Sequence, residues 1–448
     1  CPGWGNGILW ACGAQDAGSI PAPGLFSTGT ACRHRGGVSL VQRPRAGSLR
    51  WLPATGSHME PDLSALDEHL HRLDVDGYLI EADSEEADQY YLSGFDAPDP
   101  FVTLYDGAVH LLFGRSLEYG RALREARAET VERGSDYDYE RRVEAHGRHE
   151  GWSRTLAAFL RAYGVESVAT PPRFPLQTAD GLREQDIAVK ADDEGVVTEI
   201  RASKADEEVE YVRRAQRANE AAMGRAEALL AGATVESGVL HHEGEPLTSE
   251  RVKEEIEVTL LRHGCALDET IVACGTDAAD PHERGSGPLA AGEPIIVDIF
   301  PRSKQTRYHA DMTRTFCRGD PTETVREWYD LTAEAKQAAL AAVEPGATGE
   351  AVHAAACDVY EAAGLPTLRA DPTAETGFIH STGHGVGLEV HELPHVAENA
   401  GELRPGQVIT IEPGLYDPEV GGIRIEDIVV VTADGYENLT DYDESLAI

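Results

Sequence analysis

Four acidic residues in the C-terminal half interrupt segments that otherwise have the apolar pattern of β-strands. They are Asp298, Asp311, Glu412 and Glu426, in the phrases EPIIVDIF, YHADMTRTF, VITIEPG and IRIEDI. An ionised carboxylate in an apolar strand is strongly unfavourable unless it is paired or binds a metal. A single acid of this kind could pair with Arg314 or Arg424, but four together favour a shared cation site.

A glycine-rich segment adds imidazoles to this set. The phrase GHGVGLEVHE contains His384 and His391, and its glycines allow close approach of backbone and ligand. Four carboxylates and one imidazole suit divalent ions. Two such ions would offset four negative charges and could lower the pKa of a shared water toward neutrality, which gives a nucleophile without serine or cysteine.

The composition of residues 1–58 differs from that of the rest of the chain. This segment has three of the seven cysteines, one acid and no lysine, and the first methionine is Met59, preceded by Gly56-Ser57-His58. We interpret 1–58 as a non-native or disordered leader, with a genuine disordered extension as the alternative. The sequence predicts two domains after it, over 59–200 and 201–448.

Residues 59–200 combine strand-like and helical patterns, which predicts an α/β domain. Strands are expected at 77–81, 90–92 and 101–105, and a helix is expected over 152–163. Asp106-Gly107 between two apolar runs predicts a hairpin.

Residues 201–448 show the same order of elements twice. Helices are predicted at 202–231 and 249–263, then strands at 270–274 and 293–316; helices follow at 322–343 and 349–363, then strands at 379–390 and 407–431. This order predicts an internally duplicated α+β domain.

Charge and cysteine usage narrow the class of protein. The formal charge of −39 argues against nucleic acid and anionic membranes as partners, and no apolar run is long enough to span a membrane. The acids are spread along the chain and there are five lysines, so we favour a surface adapted to high salt over one that recognises a cationic partner. Cys265, Cys274, Cys317 and Cys357 form no CxxC pair, which is typical of free thiols in a reducing cytoplasm.

The motifs resemble a known family. The phrases DMTRTF, GHGVGLEVHELP, IEPGLY and GGIRIED, in this order, are similar to those of the pita-bread metallopeptidases: aminopeptidase P, prolidase and methionine aminopeptidase. Residues 91–95 and 199–204 resemble the creatinase-type, ribonuclease H-like N-terminal domain of the aminopeptidase P and prolidase branch. Methionine aminopeptidases generally lack that domain. The resemblance implies a pita-bread catalytic domain after a smaller α/β domain, and a homodimer.

The resemblance also implies a role for each site residue. Asp298 would bind one metal, Asp311 and Glu426 would bridge two, and His384 and Glu412 would complete the second site. Glu412 would also shuttle a proton. His282 and His391 would hold the scissile carbonyl, and Arg424 would steady the neighbouring acids. The metals would be manganese or cobalt, with zinc or iron as alternatives. Cys274 and His309 are interpreted as structural.

One departure from the family pattern leaves the identity of the substrate undecided. The spacing of thirteen residues between Asp298 and Asp311 is longer than usual, so a longer turn near 304–306 is expected to absorb the difference. The first reading is an Xaa-Pro aminopeptidase or dipeptidase acting on short peptides or dipeptides. A hydrolase of a small amide, such as an ectoine-derived compatible solute, and an inactive protein-binding relative are the alternatives.

Overall fold

Residues 61–448 are described in the structure, which is a computed structural model. The predicted leader, 1–58, lies outside the described residues. No helix within 61–448 is both long and apolar enough to cross a membrane.

The N-terminal part is built on a mixed six-stranded sheet. Its helices are α1 (Ser64–Leu73), α2 (Ala87–Ser93), α3 (Tyr119–Glu125), α4 (Tyr139–His146), α5 (Arg148–Ala162), α6 (Leu176–Arg183) and α7 (Val196–Ala202). Its strands are β1 (Gly77–Ala82), β2 (Phe101–Tyr105), β3 (Val109–Phe113), β4 (Thr130–Arg133), β5 (Ser167–Thr170) and β6 (Ala188–Ala191), in the order β4-β3-β2-β1-β5-β6. This arrangement agrees with the predicted α/β class.

Four local predictions here are confirmed, among them the strand at 101–105, which is β2, and one is wrong. The hairpin at Asp106-Gly107 joins β2 to β3, β1 covers 77–81, and α5 covers most of 152–163. The segment 90–92, predicted as a strand, lies in helix α2, which ends at Gly94 with a φ of 60°. Burial of Tyr91 and Leu92 and hydrogen bonds from Gln89 Nε2 to the Ala82 and Phe101 carbonyls, 3.1 and 2.9 Å long, fix this helix despite the strand propensity of its residues.

The C-terminal part repeats one order of elements, as predicted. Its helices are α8 (Asp206–Gly232), α9 (Ser249–Arg262), α10 (Glu323–Ala341) and α11 (Gly349–Ala362). The strands around the first helix pair are β7 (Thr234–Glu236), β8 (Val239–His242), β9 (Glu245–Pro246), β10 (Cys265–Ala266), β11 (Thr270–Cys274), β12 (Ile295–Ile299), β13 (Arg302–Ser303) and β14 (Met312–Phe316). Those of the second set are β15 (Gly383–Gly385), β16 (Glu392–Val396), β17 (Val408–Ile411), β18 (Gly414–Asp417), β19 (Gly421–Arg424), β20 (Asp427–Val431) and β21 (Tyr436–Asn438).

Each helix pair packs on its own antiparallel sheet. Helices α8 and α9 share a core with β11, β12 and β14, through buried residues such as Met223, Ile256 and Val297. Helices α10 and α11 share the second core with β17 and β20, through residues such as Tyr360 and Ile409. The duplicated α+β pita-bread architecture predicted from the sequence is therefore present. Carboxylates from both sets meet, since ligand atoms of Asp311 from the first set and Glu426 from the second lie within 4.8 Å of one another.

Candidate metal centre

The first two acids are placed by the antiparallel pair β12 and β14. Asp298 lies within β12 opposite Thr313, and Asp311 directly precedes β14. The longer connection between them forms a turn at 304–306, where the sequence placed it. The pairing of β12 with β14 is regular from Ile295 to Ile299, so the additional residues do not shift the acids out of register.

The other ligand candidates come from the second set of strands. His384 lies in β15, Glu412 directly follows β17, and Glu426 lies between β19 and β20. The sequence placed Glu412 and Glu426 inside strands, which is wrong in detail because both lie at breaks where the ladder ends. Their amides bond outside these ladders: Glu412 N donates to the Thr382 carbonyl at 2.8 Å, within the second set of strands, and Glu426 N donates to the Thr313 carbonyl of the first set at 3.1 Å.

Three of the predicted ligands converge closely. Asp311, His384 and Glu426 each offer one ligand atom, and these atoms lie within 4.8 Å of one another. His384 Nε2 is 3.3 Å from Glu412 Oε1 and 3.8 Å from Asp311 Oδ2. His384 Nδ1 lies 3.1 Å from the Gly385 carbonyl, so a proton on Nδ1 leaves Nε2 free to bind a metal.

Asp298 lies beside this group and has a different partner. Its Oδ2 accepts a hydrogen bond from Arg424 Nη2 at 2.6 Å, whereas its buried Oδ1 has no hydrogen-bond partner. An orphaned carboxylate oxygen in a buried site indicates a missing cation or donor. The donor set and this free oxygen both fit divalent metal.

The electrostatics of the site also require positive charge. Burial raises the pKa of Glu412 to about 8. Burial, followed by repulsion from Glu426 and Asp298, raises the pKa of Asp311 well above its usual value, and burial also raises that of Glu426. Three neighbouring carboxyl groups thus have raised pKa values, and added cations would favour their ionised forms.

A polar chain behind Asp298 includes two residues that the sequence analysis did not assign. Arg424 Nη1 donates to Tyr416 Oη at 2.8 Å, and Tyr416 Oη lies 3.0 Å from Nε2 of the partly buried His380. Burial lowers the pKa of His380 to about 3, so this imidazole is neutral and accepts from Tyr416. His380 lies four residues before His384, and Tyr416 ends the phrase IEPGLY; both positions could have been singled out.

The two predicted substrate-side histidines lie at the open side of the site. The His391 ring meets the His384 ring edge-on, with 4.3 Å between centroids. Burial, and then the nearby His282, lowers the pKa of His391. His282 is exposed, and its amide is held by Asp280 Oδ1 at 3.0 Å. A neutral imidazole next to the carboxylate group is suited to donate a hydrogen bond to a carbonyl.

Divalent-ion affinity should rise with pH. Each carboxyl group with a raised pKa must lose its proton before it binds metal, so protons compete with the ion. We expect the apparent Kd for Mn²⁺, measured by isothermal titration calorimetry, to fall between about pH 6 and about pH 8. The metal-free protein should lose stability over the same range, because the folded state binds more protons than the unfolded state. A Kd that does not change with pH would contradict the ligand assignment.

Comparisons with known proteins agree with this geometry. Residues 210–433 match the profile described as Metallopeptidase family M24, and residues 63–202 match the Creatinase/Prolidase N-terminal domain. The chain is 32% identical over 262 residues to the Xaa-Pro dipeptidase of Pyrococcus furiosus, which covers 57% of this chain and 68% of that protein. The prolidase structure from Pyrococcus horikoshii OT3 superposes with a TM-score of 0.69 at 26% identity, covering 86% of this chain and 99% of the other. The X-Pro aminopeptidase structure from Thermotoga maritima MSB8 also gives 0.69, at 25% identity, covering 85% and 100%.

Proposed function

Because the chain belongs to metallopeptidase family M24, with a creatinase/prolidase N-terminal domain, we propose that it is an exopeptidase that cleaves the Xaa-Pro bond at the N-terminus of a short peptide or dipeptide. The observation that carries this proposal is the convergence of Asp311, His384, Glu412 and Glu426 in one buried group beside His391. The printed names of the similar proteins support the choice of an Xaa-Pro bond.

Five side chains would hold two divalent ions. Asp298 would bind one ion through the free Oδ1, Asp311 and Glu426 would bridge both, and His384 and Glu412 would complete the second site. Manganese or cobalt are the expected metals, with zinc or iron as alternatives, because oxygen-rich sites with one imidazole accept all four. When bound, such ions act as Lewis acids and supply a hydroxide nucleophile near neutral pH.

The protein's own residues would orient the substrate and move the proton. Glu412 Oε1 lies 3.2 Å from Thr410 Oγ1, which holds the carboxyl group in place. Its Oε1 also lies 3.3 Å from His384 Nε2, so Glu412 is placed to take a proton from the attacking water and give it to the leaving proline nitrogen. His391 and His282 would donate hydrogen bonds to the scissile carbonyl oxygen as negative charge develops there. Arg424 would hold Asp298 in position through the hydrogen bond from its Nη2 to Asp298 Oδ2.

A substrate panel tests this proposal. Protein loaded with Mn²⁺ or Co²⁺ at high KCl should hydrolyse Xaa-Pro dipeptides or longer Xaa-Pro peptides, with Xaa-Ala peptides as matched controls. The reading is overturned if no proline bond is cleaved. Cleavage of N-acetyldiaminobutyrate alone would identify the small-amide alternative. A carefully reconstituted protein that retains no divalent ion would favour the protein-binding alternative.

Three further properties stay predictions that solution measurements can check. A homodimer is expected, which light scattering after size-exclusion chromatography would detect. Salt adaptation predicts that activity rises toward molar KCl, because repulsion within an acidic surface is screened at high ionic strength. A cytoplasmic location agrees with the free Cys265, Cys274, Cys317 and Cys357 of the described residues.

A further inference from the structure

A buried ion network joins the N-terminal part to the segment that carries His391. Arg201, in α7, is 3% exposed and contacts three carboxylates. Its Nε lies 2.6 Å from Asp88 Oδ1, its Nη2 lies 2.7 Å from Glu389 Oε2, and its Nη1 lies 2.8 Å from Glu392 Oε2. Asp88 belongs to α2, whereas Glu389 and Glu392 flank His391.

Glu392 is the centre of this network. Its second oxygen, Oε1, pairs with Nζ of the buried Lys204, and its Oε2 also lies 3.4 Å from the Glu389 amide. The preceding backbone wraps around the carboxylate: a Cβ on Gly387 would lie 2.3 Å from Glu392 Oε1. Two cations from the α7 region therefore fix a carboxylate, and that carboxylate fixes the loop over 385–392.

The loop needs such support because its ladder is irregular. The pairing of β15 with β16 shifts register between His384 and Gly385, and the residues up to His391 lie outside both strands. The position of the His391 ring against His384 is thus set by the loop and its buried contacts rather than by regular sheet hydrogen bonds.

We propose that Arg201 and Lys204 are positioning residues for His391 and act on it through Glu392. The inference rests on the proposed function, in which His391 binds the scissile carbonyl. It adds that the N-terminal part, through Asp88, supports the catalytic geometry of the peptidase region. Arg201 does not touch the substrate, so its substitution should change kcat more than KM.

A double-mutant cycle with His391 tests the proposal. At saturating Mn²⁺, Arg201→Gln should lower kcat roughly 10-fold to 100-fold, the size expected from a small displacement of a reacting geometry. In the His391→Ala background the same substitution should lower kcat by less than about 2-fold, because groups that act through one another are not additive. An equal factor in both backgrounds would overturn the proposal and assign Arg201 a purely structural role.

Two companion variants guard against loss of folding. Asp88→Asn keeps the shape of the side chain and should show the same non-additivity with a smaller effect. Arg404→Gln is the matched control, because Arg404 pairs at 3.1 Å with Glu199 of the same helix α7 but both are well exposed. Such surface pairs contribute little, so kcat should stay within about 2-fold of the original value.

Hydrogen exchange separates this inference from the proposed function. In Arg201→Gln or Asp88→Asn, amides over 385–392 should exchange about 10-fold faster while those of α10 and α11 keep their protection. This measurement needs no substrate, so it remains informative if the chain cleaves no Xaa-Pro bond. Unchanged exchange over 385–392 in both variants would overturn the inference even if peptidase activity is found.

Discussion

Asp311→Asn should lower kcat/KM for an Xaa-Pro substrate by about 1,000-fold or more, because it would replace a charged member of the proposed ligand set, which would stabilise the charge that develops in the reaction. Asp311 is buried, and its Oδ2 lies 3.8 Å from His384 Nε2. In metal-free protein the same change should raise the melting temperature, since it removes a carboxyl group whose pKa is raised by burial and by its acidic neighbours. Steady-state kinetics, metal analysis and thermal melts after chelation measure these effects.

Asp320→Asn is the matched control for this substitution. Asp320 follows β14 in the same region of the chain, but its side chain is 95% exposed and pairs with Arg326 at the surface. Both kinetics and melting temperature should stay near those of the unmodified protein. Turnover by Asp311→Asn within about 10-fold of the original rate would refute the proposed ligand set.

Arg424→Met should lower the free energy of unfolding of metal-free protein by about 3–5 kcal/mol, the usual effect of removing one partner from a buried ion pair. Arg424 is 4% exposed and donates to Asp298 Oδ2, Tyr416 Oη and Thr313 Oγ1. Without the guanidinium group, the Asp298 carboxylate has lost its hydrogen-bond donor and remains buried. Denaturant unfolding of chelated protein measures the loss, and bound metal should reduce it because the ions supply replacement charge.

A control for Arg424→Met separates the effect of burial on stability from the effect of the number of ion pairs. Arg369 contacts Asp358 at 2.6 Å and Glu361 at 2.7 Å, but it lies nearer the surface, with 28% of its side chain exposed. Arg369→Met should lower the free energy of unfolding by about 1 kcal/mol or less. Equal losses in the free energy of unfolding for Arg424→Met and Arg369→Met would show that the burial of Arg424 does not make its contacts more important for stability.

Local sequence patterns were sufficient to predict the fold class and to single out the acidic residues of the candidate site. An acidic residue between isoleucines and valines can be recognised from the sequence alone. In the structure, Asp311, Glu412 and Glu426 lie around His384. Hydrophobic spacing gave helices α8 to α11 within a few residues, since long amphipathic helices carry many independent signals. The limits of the two domains stay predictions.

The features that could not be predicted from the sequence depend on contacts between residues that are far apart along the chain. Arg201 and Glu392 are 191 residues apart, and no local spacing indicates that they meet. Helix α2 is short, and buried contacts of Asp88 and Gln89 override the strand propensity of Tyr90 and Tyr91. His380 was overlooked because one more histidine near a motif has no distinctive pattern until its partner Tyr416 is placed beside it.

The division of the ligands between two cores also affects the order of events during synthesis. Asp298 and Asp311 come from the first core, and His384, Glu412 and Glu426 come from the second. The ribosome therefore makes the first pair of helices and its sheet before it makes the second set. The proposed metal centre would then be complete only after Glu426 has left the ribosomal exit tunnel, so a partly translated chain would lack the proposed peptidase site.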